Sequence, residues 1–102
     1  MNEVLHHRGT TLVRRQRLVP GEASNWHRDP YHRVTVVLSG DRLEIQFRDR
    51  ESVAVEVSPG AVDWSEPSDC VHRAVNAGRV VFEEIVTYFL DRPDADPQPQ
   101  AE

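Results

Sequence analysis

The chain has 102 residues, a length that corresponds to one domain with one hydrophobic core. Its formal net charge is −5 and its basic residues are scattered, so we expect no nucleic-acid partner. With Cys70 as its only cysteine, the chain can form neither an internal disulfide bond nor a cysteine zinc cluster.

The sequence also bears on localisation. The first nine residues lack the apolar run of a signal peptide. No segment approaches the roughly 20 consecutive apolar residues that span a bilayer. We therefore expect a cytoplasmic protein that does not contact a membrane.

Apolar residues recur along the chain with a period of two, which predicts strands rather than helices. Leu43, Ile45 and Phe47 alternate with polar neighbours, and turn sequences such as Pro20-Gly21 separate the runs. In chain order we predict strands at Thr11–Val19, Val34–Leu38, Arg42–Phe47, Val53–Val57, Ala61–Trp64, His72–Val75 and Val80–Leu90. Many short strands with turns between them predict an all-β sandwich or barrel.

The first predicted strand carries three arginines, Arg14, Arg15 and Arg17. Charged side chains are typical of a sheet edge that resists wrong pairing, so we interpret this strand as a solvated edge and not as a binding patch.

The last predicted strand, Val80–Leu90, is apolar on both faces, which is typical of a strand covered on both sides. Together with the first strand it brings more apolar surface than a barrel of this size covers alone, so we predict a homodimer. After it the chain becomes rich in proline. We therefore assign residues 1–90 to a single barrel domain and residues 91–102 to a flexible or surface-bound tail.

Three residues stand out as candidate ligands. His27 and Asp29 are two residues apart, a spacing that puts both side chains on one face of a strand. His72 lies on a separate predicted strand. We predict that nitrogens of the two histidines lie within roughly 5 Å of each other across the barrel interior, a span that one metal ion with ~2.1 Å bonds bridges.

Two segments of the chain resemble the two motifs of the cupin family. The first motif is a glycine, five residues and His-x-His, followed by a glutamate and a second glycine, and the second motif ends in a proline, a histidine and an asparagine. The residues in register are Gly21, His27 and Gly40, then Pro67, His72 and Asn76. The resemblance implies a double-stranded β-helix, that is, a jelly-roll barrel with the functional pocket inside it.

The departures from the first motif leave two interpretations of the pocket. Asp29 replaces the family's second histidine, and Arg33 replaces its metal-binding glutamate. In one interpretation, His27, Asp29 and His72 hold a divalent iron, manganese, nickel or zinc ion. A guanidinium about 5 Å away opposes such an ion by roughly 6–7 kcal/mol at an effective dielectric near 20. In the other, Asp29 pairs with Arg33 and the barrel binds a small anion or polar molecule without metal.

Three more residues are candidates for contact with a ligand. His32 adjoins the position of the missing glutamate, Trp64 offers an aromatic wall, and Cys70 shares strand parity with His72. Each also has a structural interpretation: a surface histidine, a packing tryptophan and a small apolar cysteine.

The resemblance implies a small cupin that binds a small, anionic metabolite, with dioxygenase-type or isomerase-type chemistry among the activities that such barrels carry. The alternative is a metal-free, non-catalytic ligand-binding or accessory cupin. The sequence leaves open whether the protein is an enzyme.

Overall fold

The structure is a computed structural model that describes residues 1–91, and the regular elements in this range are β-strands. They are β1 (Asn2–Arg8), β2 (Thr11–Leu18), β3 (His27–Asp29), β4 (His32–Ser39), β5 (Arg42–Phe47), β6 (Val53–Glu56), β7 (Val62–Ser65), β8 (Ser68–Asn76) and β9 (Phe82–Phe89). The all-β prediction is confirmed. Residues 92–102, nearly all of the predicted tail, lie outside the described residues. Among the described residues, no helix is long and apolar enough to cross a membrane.

The strands form two antiparallel sheets whose inner faces enclose a cavity. One sheet has the order β1-β2-β9-β4-β7 and the other has the order β3-β8-β5-β6. The central strands of both sheets have neighbours that are distant in sequence: β9 pairs with both β2 and β4, and β8 pairs with both β3 and β5. This is the two-layer arrangement of a jelly-roll barrel.

Strand β2 shows how the interior is divided. Its inward side chains are, in order, Leu12, Arg14, Gln16 and Leu18, so two polar residues lie between two leucines. Each leucine belongs to a separate buried apolar cluster. The first cluster is Leu12, Tyr31, Val86 and Tyr88, and the second is Leu18, Val37, Leu43 and Phe82. The apolar residues therefore form two layers, and the polar cavity lies between them.

The interpretation of the first strand as a solvated edge is wrong. Strand β2 lies between β1 and β9, and Arg14 is only 9% exposed because its side chain enters the cavity. The reason is the strand's period of two, which sends Arg14 to the opposite face from Arg15. Arg15 forms ion pairs with Glu3 and Glu83 on the outer side.

Several strand boundaries differ from the prediction. Strand β1 was not predicted, since its residues are exposed and show no alternation of polar and apolar side chains. Strand β3 was not predicted either, since it has only three residues and depends on its pairing with β8. Strand β4 begins at His32 and strand β8 at Ser68, two and four residues before the predicted starts.

Gly40 and Asn76, two residues of the segments that resemble the cupin motifs, have structural roles. The backbone of Gly40 has φ +131°, and a Cβ atom there would come within 2.9 Å of the Phe82 ring. Asn76 is 2% exposed, and its Nδ2 donates hydrogen bonds to the carbonyl oxygens of Leu18 and Val80, each at 2.9 Å. Its Oδ1 accepts a bond from the Gly78 amide at 2.9 Å. Asn76 thus ties the end of β8 to β2 and to the start of β9.

Candidate functional site

The polar cavity between the two sheets has a volume of about 130 Å³. His27, Asp29 and His72 enter it from the four-stranded sheet, and Arg33 enters it from the facing sheet. The structure therefore brings together the four residues that the sequence placed in the barrel interior.

Asp29 lies at the centre of this group. Its Oδ2 atom is 3.0 Å from Nε2 of His72, 3.4 Å from Nε2 of His27 and 3.0 Å from Nη1 of Arg33. The carboxylate is 3% exposed. Three side chains that are positively charged or can become so therefore surround one buried carboxylate oxygen.

The ionisation of Asp29 follows from these contacts. Burial by itself would raise the pKa of the Asp29 carboxyl. Hydrogen bonds from His27 and His72, together with the positive charge of Arg33, outweigh burial and hold this pKa well below its usual range. Asp29 is thus a carboxylate at neutral pH.

The protons on the two histidines are determined by the backbone. Nδ1 of His27 lies 2.7 Å from the Asn25 carbonyl oxygen, and Nδ1 of His72 lies 3.0 Å from the Cys70 carbonyl oxygen. A carbonyl oxygen only accepts, so each Nδ1 carries the proton and donates it. Both Nε2 atoms are directed at Asp29: a protonated ring donates its Nε2 hydrogen to that carboxylate, and a neutral ring has at Nε2 a lone pair that can bind a metal ion. Histidine ligands of metal ions are commonly held in this way.

The pairing of β3 with β8 explains why the histidines meet. His27 and His72 are directly opposite each other on these two strands, and their ring centroids are 4.5 Å apart. The predicted proximity is confirmed, but the two rings are neighbours in one sheet and do not face each other across the barrel. Asp29 pairs with Ser68, which leaves two extra residues on β8 between the paired positions. This bulge separates Cys70 from the position that simple alternation would give it.

From the sequence, several polar residues of the cavity wall on the five-stranded sheet were not assigned to the cavity, among them Arg14, Gln16, Glu84 and Tyr88. Nε2 of Gln16 donates a 2.8 Å hydrogen bond to Oε2 of Glu84. Burial raises the pKa of the Glu84 carboxyl and that of the Tyr88 hydroxyl. The signal was present in the sequence, because these residues share strand parity with Leu12 and Phe82 and are polar within otherwise apolar inner faces.

The three remaining candidates lie away from the cavity. His32 and Trp64 are on the outer face of β4 and β7, where their rings are 5.4 Å apart and both approach Glu66. The alternation of β4 that sends Arg33 inward sends His32 outward. Cys70 lines a separate surface depression, where Nη2 of Arg50 lies 3.2 Å from its Sγ.

The residues present fit a divalent metal ion. One ligand atom from each of His27, Asp29 and His72 can be chosen so that all lie within 4.8 Å of one another. Asp29 Oδ1 is buried and has no hydrogen-bond partner among the described residues, so a carboxylate lone pair is available for a cation. Two imidazoles and one carboxylate are a donor set that several divalent transition metals accept.

Comparison with known proteins places the fold. No family model matches the chain, and no curated protein matches its sequence. Solved structures do resemble it. A cupin domain from Bordetella pertussis Tohama I superposes with a TM-score of 0.77 at 20% identity, covering 86% of this chain and 90% of its own. An RmlC-like cupin family protein with a double-stranded β-helix fold, from Methanocaldococcus jannaschii, superposes with a TM-score of 0.66 at 16% identity. This match covers 87% of this chain and 78% of the other.

A structure of oxalate oxidase is more distant, with a TM-score of 0.59 at 17% identity, covering 78% of this chain and 42% of its own. Identities this low establish the fold alone. The chain therefore has the cupin fold, a double-stranded β-helix, as the two sequence motifs predicted.

Proposed function

We propose that this cupin barrel binds a small anionic metabolite at a divalent metal ion held by His27, Asp29 and His72. The observation that carries the proposal is the convergence of three cationic or metal-ligating side chains on Asp29 Oδ2. The orphaned Oδ1 atom of the same carboxylate supports the metal.

The charge of the cluster favours an anionic ligand. If both histidines are protonated, they and Arg33 bring three positive charges against the single negative charge of Asp29. If the histidines are neutral and a divalent cation is bound, the net charge is again two positive. Uncompensated charge in a half-buried site costs several kcal/mol, so an anion is expected in both cases.

The size of the cavity limits the ligand. About 130 Å³ is slightly less than the volume of an engineered cavity, about 150 Å³, that binds benzene. A ligand of roughly six or seven non-hydrogen atoms therefore suits this volume, whereas a nucleotide or a sugar nucleotide does not fit in it.

Different residues of the site would hold the metal ion and the anion. His27, Asp29 and His72 would bind the ion, and the carbonyl oxygens of Asn25 and Cys70 orient the two rings. Arg33 holds Asp29 in place and presents a guanidinium to the ligand, which suits a carboxylate. When bound, such an ion supplies Lewis-acid polarisation of a ligand oxygen.

A second candidate function is a metal-free cupin that binds an anion directly and has no catalytic role. The 3.0 Å ion pair between Arg33 and Asp29 favours it, because a guanidinium beside the ligand set opposes a divalent cation.

Metal content and metal affinity distinguish the two functions. Protein purified without a histidine tag is assayed for bound metal and titrated by calorimetry with zinc, manganese and iron(II). We expect one equivalent of metal in the wild type and a loss of at least tenfold in affinity for Asp29→Asn, which keeps the shape but removes the charge. The control is Asp69→Asn, which changes an exposed aspartate outside the cavity and leaves affinity unchanged. Equal affinity in all three proteins would contradict the metal site.

A further inference from the structure

The inner face of the five-stranded sheet places two guanidinium groups on either side of one tyrosine. Tyr88 lies on β9, between β2 and β4, and it pairs directly with Arg33 on β4. On the other side, Arg14 of β2 has its guanidinium carbon 5.9 Å from the centroid of the Tyr88 ring. All three side chains line the cavity.

The two arginines differ in what surrounds them. Arg33 contacts Asp29 and thus belongs to the group of candidate metal ligands. Arg14 lies two strands away from Arg33 within the same sheet, a separation of about 9–10 Å between strand axes. The cavity therefore has one cationic group, Arg33, at the His-Asp cluster formed by His27, Asp29 and His72, and a second one, Arg14, two strands away.

The acidic residues of the cavity wall have contacts of their own. Asp29 and Glu84 are the carboxylic acids among the described residues that line the cavity. Asp29 contacts Arg33 and the two histidines, and Glu84 accepts a hydrogen bond from Gln16. A ligand with two negative ends would complement both guanidinium groups.

We propose that the ligand of this site is a small dicarboxylate, with one carboxylate at Arg33 beside the His-Asp cluster and the other bound by Arg14 and Tyr88. The inference rests on the proposed function and adds the substrate class. Malonate, a dicarboxylate of three carbons, has seven non-hydrogen atoms, which agrees with the cavity volume. Arginine forks bind carboxylates with two parallel hydrogen bonds, and the Tyr88 hydroxyl, which burial keeps protonated, is a third donor.

The experiment compares malonate, acetate and phosphate by calorimetry, with the wild type in metal-loaded and metal-free form. We expect malonate to bind at least tenfold more tightly than acetate, since only malonate reaches both arginines. It should also bind at least tenfold more tightly than phosphate, a dianion whose charge is at one centre. Equal binding of malonate and acetate, or tighter binding of phosphate, would overturn the proposal.

Variants on strand β2 test the role of Arg14. Arg14→Gln should weaken malonate binding at least tenfold and leave acetate binding unchanged. Arg14→Lys, which keeps the buried charge if the glutamine variant fails to fold, should retain part of the preference for malonate. The control is Arg17→Gln, which changes an exposed arginine on the same strand. We expect this variant to bind malonate and acetate as the wild type does.

The two proposals can fail separately. If the wild type binds no metal but still prefers malonate over acetate, the metal site is wrong and the dicarboxylate site stands. If metal binds and Arg14→Gln binds malonate as the wild type does, the dicarboxylate proposal is wrong and the metal site stands.

Discussion

Nη1 of Arg33 lies 3.0 Å from Oδ2 of Asp29. Arg33 occupies the position of the glutamate in the cupin motif, and it forms an ion pair with the candidate metal ligand Asp29. Both residues depart from the family pattern, and the structure shows that the two departures are coupled. Asp29 supplies the charge that Arg33 needs in a buried site, and Arg33 helps to keep Asp29 ionised.

Replacing Arg33 tests this coupling. Arg33→Glu changes the local charge by two units and supplies an oxygen ligand, so we expect affinity for zinc or manganese to rise by about a hundredfold or more. The same variant should lose binding of malonate, because a like charge replaces a donor fork. Calorimetric titration measures both effects.

The matched control at this position is Arg33→Gln, which removes the positive charge without adding a ligand. It should show a smaller gain in metal affinity than the glutamate variant. Equal metal affinity in the wild type and in Arg33→Glu would mean that Arg33 does not govern the site.

The buried acid Glu84 should make stability depend on pH. Burial raises its pKa despite the hydrogen bond from Gln16 and the nearby charges of Arg33 and His27, and the charge of Asp29 raises it further. Between the unfolded pKa, about 4.3, and the raised folded pKa, the folded state binds more protons. The contribution of Glu84 to the free energy of unfolding therefore falls as pH rises through this window.

Glu84→Gln should remove this decrease in the free energy of unfolding, and it keeps an acceptor for the hydrogen bond from Gln16. We expect the variant to equal the wild type in stability near pH 4 and to exceed it increasingly towards neutral pH in urea unfolding. Glu83→Gln, which removes an acid from the outer face of the same strand, provides the reference curve. A difference between wild type and Glu84→Gln that does not vary with pH would contradict the prediction.

Asn76 should be important for stability. Asn76→Asp keeps the size of the side chain but replaces the Nδ2 donor with an oxygen that faces the carbonyl oxygens of Leu18 and Val80. Burying an unsatisfied and charged group there should cost about 2–4 kcal/mol of unfolding free energy. Thermal unfolding by circular dichroism should show a melting temperature lower by roughly 10–20 °C. A melting temperature within 2 °C of the wild type would refute this role.

The homodimer predicted from the sequence has a specific candidate face. The outer side of the five-stranded sheet carries Val62 and Trp64, which are 64% and 57% exposed, and Trp64 stacks on Phe89 at 5.8 Å. Val34 and Ile85 lie on the same outer face. We expect a second copy to cover this face, because a contiguous apolar patch is typical of an interface.

Light scattering at micromolar concentration tests the dimer. We expect about twice the chain mass of 11.7 kDa for the wild type and the single-chain mass for Trp64→Glu. The control is Val53→Glu, at a similarly exposed valine on the other sheet, which should remain dimeric. A wild-type monomer would show the prediction to be wrong.

The sequence by itself determined the strands other than β1 and β3, and which side chains share a face. The period of two placed His27 with Asp29 and predicted that both histidines enter the interior, because alternation is a local property of extended backbone. It also contained the motif residues Gly40 and Asn76, whose roles in the structure are a close backbone approach and a set of buried hydrogen bonds.

Only the tertiary structure decided which face of each strand is inside and which strands are neighbours. The four-stranded sheet covers the inner face of β2, so Arg14, an expected surface residue, became part of the cavity wall. The two extra residues on β8 moved Cys70 away from His72, and the start of β4 at His32 sent that histidine outward. Alternation shows which side chains share a face, but the choice of the inner face and the positions of register shifts depend on contacts between residues far apart in the chain, which form only when the sheets pair and enclose their core.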